Sequence, residues 1–209
     1  FYGLTEGGVA TTLVARKAAE LGKLASVGQV QPGGELRILG ENGEQLGPLE
    51  AGEIVGRTGI MSDGYLNRDE ATKAMHWFDE NGQLFYRSGD VGYLDEDGWL
   101  FLSDRIKDMI LSGGQNIYAT DLEQALNAAS DVVESAVVAR PSDHWGETPW
   151  AFVVKQSNSM RSEDDIRRDA NGRLSSIQAI AGVTFMNELP RSDIGKILKR
   201  QLREAFTED

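Results

Sequence analysis

The pattern of the sequence changes near residues 103–107, and this change limits the chain to a fold in two parts. Before it, short strand-like segments alternate with turn signals such as Asn42-Gly43 and Asn81-Gly82, dipeptides that favour tight hairpin turns. Only residues 69–75 have a helical pattern there. For residues 1–104 these features predict a small, strongly bent β-sheet or barrel.

The second part, residues 105–209, alternates helical signals with apolar, strand-like runs. Such interleaving predicts a compact two-layer α+β module, so the fold class expected for the whole chain is α+β. The helix signals are a capping box at Thr120-Asp121-Leu122-Glu123, a cap at Ser162 and a final helix that starts near Gly195, and the apolar runs are 132–138 and 150–154.

Composition and charge exclude several classes of function. The chain has 33 acidic and 21 basic residues and a net charge of −12, which argues against a nucleic-acid footprint, because such footprints need clustered Lys and Arg. It has no cysteine, and its two histidines, His76 and His144, are far apart in sequence. Disulfides and thiolate metal sites are therefore excluded, and a reducing, cytoplasmic compartment is expected. No apolar run approaches membrane-spanning length.

The carboxyl end of the chain is locally basic, with Lys196, Lys199, Arg200 and Arg203 close together. One interpretation is a solvated face of a helix, which is how most charge runs are used. The other is a surface that meets an anion such as a phosphate group. Residue types and spacing leave both interpretations open.

The amino end of the sequence lacks a starting methionine. Phe1-Tyr2-Gly3-Leu4-Thr5 has the pattern of a strand that runs into a loop, so we expect a piece of a longer protein with a partner segment upstream. The sequence also contains no Gly-rich phosphate-binding loop that ends in Lys-Ser or Lys-Thr. Chemistry on nucleotide phosphates is therefore expected to need the upstream part.

Four motifs occur in one order along the chain, and the order carries more information than any one of them. They are Tyr2-Gly3-Leu4-Thr5-Glu6, Tyr86-Arg87-Ser88-Gly89-Asp90, Asp104-Arg105-Ile106-Lys107-Asp108 followed by Gly113-Gly114-Gln115-Asn116-Ile117, and Leu189-Pro190-Arg191-Ser192-Asp193-Ile194-Gly195-Lys196. Together they resemble the adenylate-forming superfamily of acyl-coenzyme A synthetases, luciferases and peptide-synthetase adenylation domains. The resemblance covers essentially the whole chain and is best for the acyl-coenzyme A synthetase branch.

The resemblance implies an enzyme that uses ATP, Mg²⁺ and coenzyme A and whose substrate is a small carboxylic acid. The carboxylate attacks the α-phosphate of ATP to give an acyl-adenylate, and a thiol then takes the acyl group. The first step brings two anions together, so it needs Mg²⁺ and a positioned cation. Residues 1–104 would be the end of a large nucleotide- and acyl-binding domain, and residues 105–209 a small mobile domain.

The resemblance assigns catalytic roles to three residues. Lys196 matches the lysine that bridges the attacking carboxylate and the phosphate, a role that suits a flexible point charge. Thr5 and Glu6 match contacts to the nucleotide and to Mg²⁺, with Glu6 as the metal ligand. Without the resemblance, a solvated lysine at the start of a helix is the simpler explanation of Lys196.

Four more residues match nucleotide contacts of the family. Asp90 matches the acid that holds the ribose, and an ionised carboxylate can accept from both ribose hydroxyls at once. Arg105 matches a second ribose or phosphate contact. Tyr2 and Gly3 belong to the nucleotide-binding segment, with Tyr2 at the aromatic position beside the adenine. Taken alone, Asp90 is typical of an Asx turn, Arg105 of a surface ion pair and Tyr2 of a core aromatic.

The remaining matches concern the second half-reaction. Lys107 occupies the hinge position about which the family's small domain swings. Gly113 and Gly114 match the loop that lines the tunnel for the thiol, where missing side chains let a pantetheine arm pass. A plain tight turn explains paired glycines equally well.

The sequence departs from the family pattern at several positions, most seriously at residues 175–181. Many family members have a Tyr-Lys-x-Pro pattern there, near contacts to the thiol, where this chain has Ser175-Ser176-Ile177-Gln178-Ala179-Ile180-Ala181. Ser88 replaces a usual Thr but keeps the hydroxyl. Two alternatives to a coenzyme A ligase therefore stay open: an acyl-adenylate ligase that loads a carrier protein, and a catalytically silent binding module.

Overall fold

The computed structural model describes residues 1–206 and divides into two compact units. The first unit is Phe1–Ile106, and the second begins at Lys107. This division falls within residues 103–107, where the pattern of the sequence changes. The first unit contains two sheets and the second unit one, and each unit has its own buried core.

The first unit is built from antiparallel strands and two short helices. The smaller sheet has the strand order β1-β2-β3, and the larger sheet has the order β4-β5-β7-β6 with β8 paired to β7. Both sheets are open, and within residues 1–206 no strand pairing closes a barrel. The elements are β1 (Tyr2–Gly3), β2 (Ala10–Thr12), α1 (Ala15–Glu20), β3 (Gln29–Val30), β4 (Glu35–Leu39), β5 (Gly52–Arg57), α2 (Asp69–Ala74), β6 (His76–Phe78), β7 (Leu84–Leu94) and β8 (Leu100–Arg105).

One of the two helices is absent from the sequence-based expectation. The pattern at residues 69–75 predicts α2, whereas nothing in the pattern predicts α1. Helix α1 has six residues, and its N-cap residue Val14 makes no side-chain cap hydrogen bond. Of its residues only Ala18 is buried. A helix that is this short and uncapped leaves neither periodicity nor an end signal to detect.

The larger sheet is buried on both faces. Ile54 and Val55 are neighbours on β5 and both are fully buried, on opposite faces because successive side chains of a strand alternate. Ile54 packs with Ile38 and Leu100, and Val55 packs with Phe85. Each such side chain contributes about 1.5–3 kcal/mol when it is fully buried, so this sheet is a stable support for the loops and bulges that it carries.

The second unit alternates strands and helices around one mixed sheet. The strand order is β10-β9-β12-β11, and β13 pairs with β12 in the parallel direction. Short 3₁₀ turns occur at Ile106–Asp108 and Ser176–Gln178. The elements are β9 (Ile110–Ser112), β10 (Gln115–Ile117), α3 (Ala119–Asn127), β11 (Val132–Ser142), β12 (Gly146–Lys155), α4 (Glu163–Asn171), β13 (Gly182–Phe185) and α5 (Lys199–Glu204).

Helices cover both faces of this sheet. Val137 of β11 packs with Leu122 of α3 and Ile166 of α4. The next residue along the strand, Val138, lies on the other face and packs with Leu202 of α5. The predicted α+β class is confirmed, and α5 adds a cover on the second face to the two layers that the sequence predicts.

The helix starts only partly follow the sequence signals. Ser162 caps α4 as predicted: its hydroxyl accepts a bond from the backbone of Asp165, and the Asp165 carboxylate completes a capping box. The helix start predicted at Thr120 is displaced: α3 starts at Ala119, and its N-cap residue is Tyr118, which makes no side-chain cap hydrogen bond. The Glu123 carboxylate accepts a bond from the backbone of β11 and pairs with α5.

Candidate active site

A bulge in β7 carries the first predicted site residue. Along β5 the pairs Glu53–Val91 and Val55–Arg87 are two residues apart, but on β7 the same pairs are four residues apart. Ser88, Gly89 and Asp90 therefore face a single residue of β5. Gly89 has a φ of +70°, a conformation that glycine adopts without a steric penalty. Bulges of this kind redirect a side chain and are common beside active sites, and here the redirected side chain is that of Asp90.

The Asp90 carboxylate brings three of the predicted site residues together. Its Oδ2 accepts a hydrogen bond of 2.6 Å from the Tyr2 hydroxyl, and its Oδ1 accepts one of 2.9 Å from Nε of Arg105. Arg105 is the β8 residue paired with Asp90 in the sheet. The Asp90 side chain is 14% exposed and that of Arg105 is 51% exposed. The cluster therefore has a largely buried carboxylate and an exposed guanidinium.

The protonation of Tyr2 follows from this environment. Burial of the phenol and its hydrogen bond to Asp90 raise the pKa of Tyr2 well above the usual value. The hydroxyl is therefore a permanent donor at neutral pH, and it orients the carboxylate that accepts from it. The Tyr2 hydroxyl meets Asp90, and the position of its ring beside an adenine, which the resemblance implies, stays a prediction.

The cluster retains capacity for further hydrogen bonds. A carboxylate has about four lone-pair positions and a guanidinium has five N–H donors. The bonds to Tyr2 and Arg105 occupy one acceptor position on each oxygen of Asp90 and one donor of Arg105. Two neighbouring hydroxyls of a ligand can still donate to Asp90, and a phosphate oxygen can still accept from Arg105.

Thr5 and Glu6 lie in the turn that follows β1. This turn is closed by the backbone bond from Leu4 to the carbonyl of Val9, at 3.0 Å. Thr5 is exposed, while the Glu6 carboxylate accepts a hydrogen bond from the Tyr65 hydroxyl. Tyr65 is 59 residues away in sequence, so no local pattern could reveal this contact.

Gly3 has a structural reason to be glycine. A Cβ on Gly3 would lie 2.6 Å from the backbone oxygen of Val9, closer than a side-chain carbon can approach without a shift of the backbone. The absence of a side chain therefore lets β1 run close to β2, and this pairing fixes where Tyr2 and the turn after it begin. A nucleotide contact for Gly3 stays a prediction.

A magnesium ion would find one protein carboxylate in this turn. Within residues 1–206 no group of three or more His, Cys, Asp or Glu side chains could hold a metal ion. Mg²⁺ commonly keeps several waters and binds one or two carboxylates together with substrate phosphates. Glu6 fits that mode, in which the nucleotide supplies most of the ligands, and it does not fit a site made of protein groups alone.

Lys196 lies in the second unit, on a closed loop rather than at a helix start. The loop spans residues 191–197 and is closed by an antiparallel bridge between Arg191 and Ile197. Gly195 has a φ of +80°, which ends any helical path, and α5 begins only at Lys199. The predicted helix start near Gly195 is therefore wrong.

Two side chains brace this loop. Arg191 Nη1 donates to the backbone oxygen of Gly195 at 2.7 Å, and the same guanidinium pairs with Glu134 on β11. The Ser192 hydroxyl accepts from the backbone of Lys196 at 3.2 Å. The backbone at Lys196 is thus held from both sides while its side chain is exposed.

The other basic residues near the carboxyl end have structural partners. Lys199 pairs with Glu123 at 2.7 Å, and Arg203 pairs with Asp108 at 2.6 Å. Arg200 is within 3.7 Å of Glu204. In the part of the chain that the structure describes, the Lys196 ammonium has no ion-pair or hydrogen-bond partner. Lys199 and Arg203 are therefore engaged in close ion pairs, and within residues 1–206 Lys196 is the one of the four basic residues without a partner.

Gly113 and Gly114 form the two-residue turn between β9 and β10. Ser112 and Gln115 are paired across it, and the two glycines have φ values of +57° and +79°. Positive φ at both central residues defines a type I′ hairpin turn. A Cβ on Gly113 would lie 2.8 Å from the ring of Trp145, whereas a Cβ on Gly114 would meet nothing within 4 Å. The turn itself explains both glycines, and the thiol tunnel stays a prediction.

Comparisons with known proteins agree with the fold and the motifs. Residues 121–196 match the family model of the AMP-binding enzyme C-terminal domain. The chain is 37% identical over 207 residues to a 2-succinylbenzoate–CoA ligase of Geobacillus kaustophilus, an alignment that covers 98% of this chain and 40% of the relative. It is also 37% identical over 211 residues to a long-chain-fatty-acid–CoA ligase of Mycobacterium tuberculosis, which covers 99% of this chain and 39% of the relative.

A solved structure with a bound intermediate has the same fold. It is the o-succinylbenzoate CoA synthetase of Bacillus subtilis in complex with an acyl-adenylate, at a TM-score of 0.83 and 32% identity, covering 97% of this chain and 40% of that one. The chain therefore matches the carboxyl-terminal portion of adenylate-forming, AMP-binding enzymes. Both of these relatives are named as CoA ligases. The chain spans about two fifths of their length, 40% and 39% in the two cases.

Among residues 1–206, no helix has the length and apolar character that a membrane span requires.

Proposed function

We propose that the protein containing this chain is an ATP-dependent carboxylic acid:coenzyme A ligase. The first unit would be the end of its nucleotide- and acyl-binding domain, and the second unit its small mobile domain. The observation that carries the proposal is the Tyr2–Asp90–Arg105 cluster, in which a sheltered carboxylate and an open guanidinium suit a ribose and a phosphate. Relatives of the same family with CoA-ligase names support it.

The proposed reaction has two steps. A carboxylate oxygen of the acid attacks the α-phosphorus of ATP, the bond from that phosphorus to the β-phosphate oxygen breaks, and pyrophosphate leaves. The sulfur of the thiol then attacks the acyl carbon, the bond from that carbon to the AMP oxygen breaks, and the thiol proton passes to solvent.

Each candidate residue has a physical task in the first step. Asp90 would accept from the two ribose hydroxyls and so fix the nucleoside. Lys196 would place a positive charge between the attacking carboxylate and the phosphate, where two anions otherwise repel. Glu6 would ligate Mg²⁺, which supplies charge neutralisation on the phosphates when it is bound. Thr5 would contact the nucleotide from the same turn.

The acceptor and the acid are less closely defined than the first step. The two relatives are named for different acids, 2-succinylbenzoate and long-chain fatty acids, so the family alone does not select the acyl group. Residues 175–181 lack the pattern that many family members have near the thiol. A carrier-protein thiol is therefore the second candidate for the acceptor.

Full-length enzyme incubated with ATP, Mg²⁺, coenzyme A and a panel of carboxylic acids tests the proposal. We expect acid-dependent exchange of pyrophosphate into ATP and release of AMP, together with an acyl-CoA product identified by mass spectrometry. Exchange without acyl-CoA would favour the carrier-protein acceptor. Nucleotide binding without pyrophosphate exchange for any acid would contradict the proposed ligase activity and favour a catalytically silent binding module.

A further inference from the structure

Glu53 lies on β5, beside the bulge of β7 that carries Asp90. Its side chain is 13% exposed, and its Oε2 accepts a bond of 2.8 Å from Nη1 of Arg87. In the sheet, Glu53 is paired with Val91, the first residue after the bulge. Glu53 thus contacts β7 on both sides of the bulge, at Arg87 before it and at Val91 after it.

A carboxylate at this position has a cost that the strand does not require. The next residues of β5, Ile54 and Val55, are apolar and fully buried. Burial raises the pKa of Glu53, and the Arg87 guanidinium and the Gly89 N–H oppose that rise. Glu53 therefore places a carboxylate at a largely buried position, where an apolar residue would satisfy the packing of the sheet.

The bulge supplies a reason for an ion pair here. Three residues of β7 face one residue of β5, so the regular ladder has no partner for every backbone group in the bulge. The bond from Arg87 to Glu53 spans these three residues and joins the two ends of the bulge. Gly89 cannot be held by its own side chain, and a Cβ there would meet nothing within 4 Å.

We propose that Glu53, paired with Arg87, is a positioning residue: it fixes the bulge at Gly89 so that the Asp90 carboxylate points toward Tyr2, Arg105 and the ribose of the nucleotide. Glu53 does not touch the nucleotide itself. The inference rests on the proposed function, in which Asp90 holds the ribose.

An ordinary cross-strand ion pair is the competing explanation. Arg87 is 38% exposed, and a pair of that kind usually contributes little. Loss of such a pair would lower stability slightly and leave nucleotide binding alone. The position of this pair is what ties Glu53 to the geometry of Asp90, because the pair spans the bulge that Asp90 belongs to.

The test uses the full-length enzyme and separates KM for ATP from the other constants. Glu53→Ala should raise KM for ATP roughly ten-fold, the usual size of effect when a partner that orients a binding group is lost. KM for the acid should stay near that of the wild type. Glu53→Gln keeps one acceptor oxygen, so its KM for ATP should lie between those of Ala and the wild type. If Glu53→Ala does not fold, Glu53→Gln carries the same comparison.

A matched control is Glu50→Ala. The Glu50 carboxylate accepts from the backbone N–H of Gly47 at 2.7 Å, in a turn outside the bulge. This variant should leave KM for ATP unchanged. An equal rise in both variants would overturn the inference, as would an unchanged KM in the Glu53 variants.

A double-mutant cycle with Asp90→Asn tests whether Glu53 acts through Asp90. Once Asp90→Asn has raised KM for ATP, adding the Glu53 change should raise it little further, because coupled residues are not additive. Full additivity would overturn the inference and leave the ribose role of Asp90 intact. An unchanged KM in Asp90→Asn alone would overturn the ribose role, and the inference with it.

Discussion

Asp90 shares its two carboxylate oxygens between a phenol and a guanidinium. The phenol of Tyr2 comes from 88 residues away in the chain and the guanidinium of Arg105 from 15. Both partners are donors at neutral pH, because burial and Asp90 keep Tyr2 protonated. The cluster is therefore organised around a charged acceptor, the Asp90 carboxylate, which presents one oxygen to each of the two donors.

Asp90→Asn tests that requirement. The amide keeps one oxygen for the Arg105 Nε–H, but it faces the Tyr2 hydroxyl with a donor and removes the negative charge from the acceptor. Loss of a charge-assisted hydrogen bond costs about 1.5–3 kcal/mol, and we expect KM for ATP in the full-length enzyme to rise correspondingly, with KM for the acid little changed. Asp97→Asn, at an exposed turn position, is the control. An unchanged KM and kcat in Asp90→Asn would show that Asp90 is only a turn residue.

Gly114 allows strain and tunnel blockage to be separated. Its φ of +79° costs an ordinary L-residue about 1–2 kcal/mol, although a Cβ there has free space. Gly114→Ala should therefore lower the melting temperature, while Gly114→Asn should lower it less, because Asn tolerates this conformation.

Thioester output should respond to side-chain size instead. If Gly114 lines the path of the thiol, Asn and then Leu should reduce thioester formation progressively while pyrophosphate exchange stays near normal. Measurements of both half-reactions beside thermal melts decide the matter. If both activities fall together at Ala and follow the melting temperature, Gly114 is structural and its link to a thiol is lost.

At the scale of elements, the sequence predicts what is local and misses what depends on register. The capped start of α4 is local, since Ser162 and Asp165 are three residues apart, and it is confirmed. The contact between Glu6 and Tyr65 joins residues 59 apart, and the bulge at Asp90 depends on how β5 and β7 align. Neither leaves a periodic signal, because the partner lies on another element.

The same distinction explains how the site could be predicted. Tyr2, Asp90 and Arg105 each belong to a contiguous motif, so the motifs predict each residue separately, yet no motif predicts that their side chains meet. The motif also predicts Lys196 but puts it at a helix start, because residue type does not distinguish a glycine at positive φ from a helical one.

The link between β11 and the loop before α4 predicts a pH-dependent stability. The Ser159 hydroxyl, and after it Arg161, hold the pKa of Asp131 below its usual range against the effect of burial. The ionised form therefore stabilises the fold above the unfolded pKa of about 3.9, and this contribution is lost as the pH falls through the lower, folded pKa.

Asp131→Asn should accordingly lower the melting temperature of the chain by a constant amount near neutral pH. The difference from the wild type should shrink once the pH falls below about 4. Asp143→Asn, exposed on the turn between β11 and β12, controls for the loss of one negative charge. A difference that stays constant down to the most acidic melts would show that Asp131 does not act through its charge.

At the scale of the whole molecule, the proposed reaction draws on both units. Asp90, Arg105 and Glu6 belong to the first unit and Lys196 to the second. The loop around Lys196 is braced at its backbone by Arg191 and Ser192 while the ammonium has no partner among residues 1–206. Such an arrangement suits a cation that serves one half-reaction and is carried away for the next. The sequence predicts the two units, because its pattern changes between them, but it does not predict their motion.

Lys196→Ala in the full-length enzyme tests this most directly, with the two half-reactions measured separately. Acid-dependent exchange of pyrophosphate into ATP should fall on the order of 10²–10³-fold, as when one preorganised charge partner of a transition state is removed. Thioester formation from preformed acyl-adenylate should survive, and Arg200→Ala, which removes an exposed neighbouring charge, should affect neither step. An equal fall of both half-reactions in Lys196→Ala would contradict the alternation of the second unit and the catalytic role of Lys196.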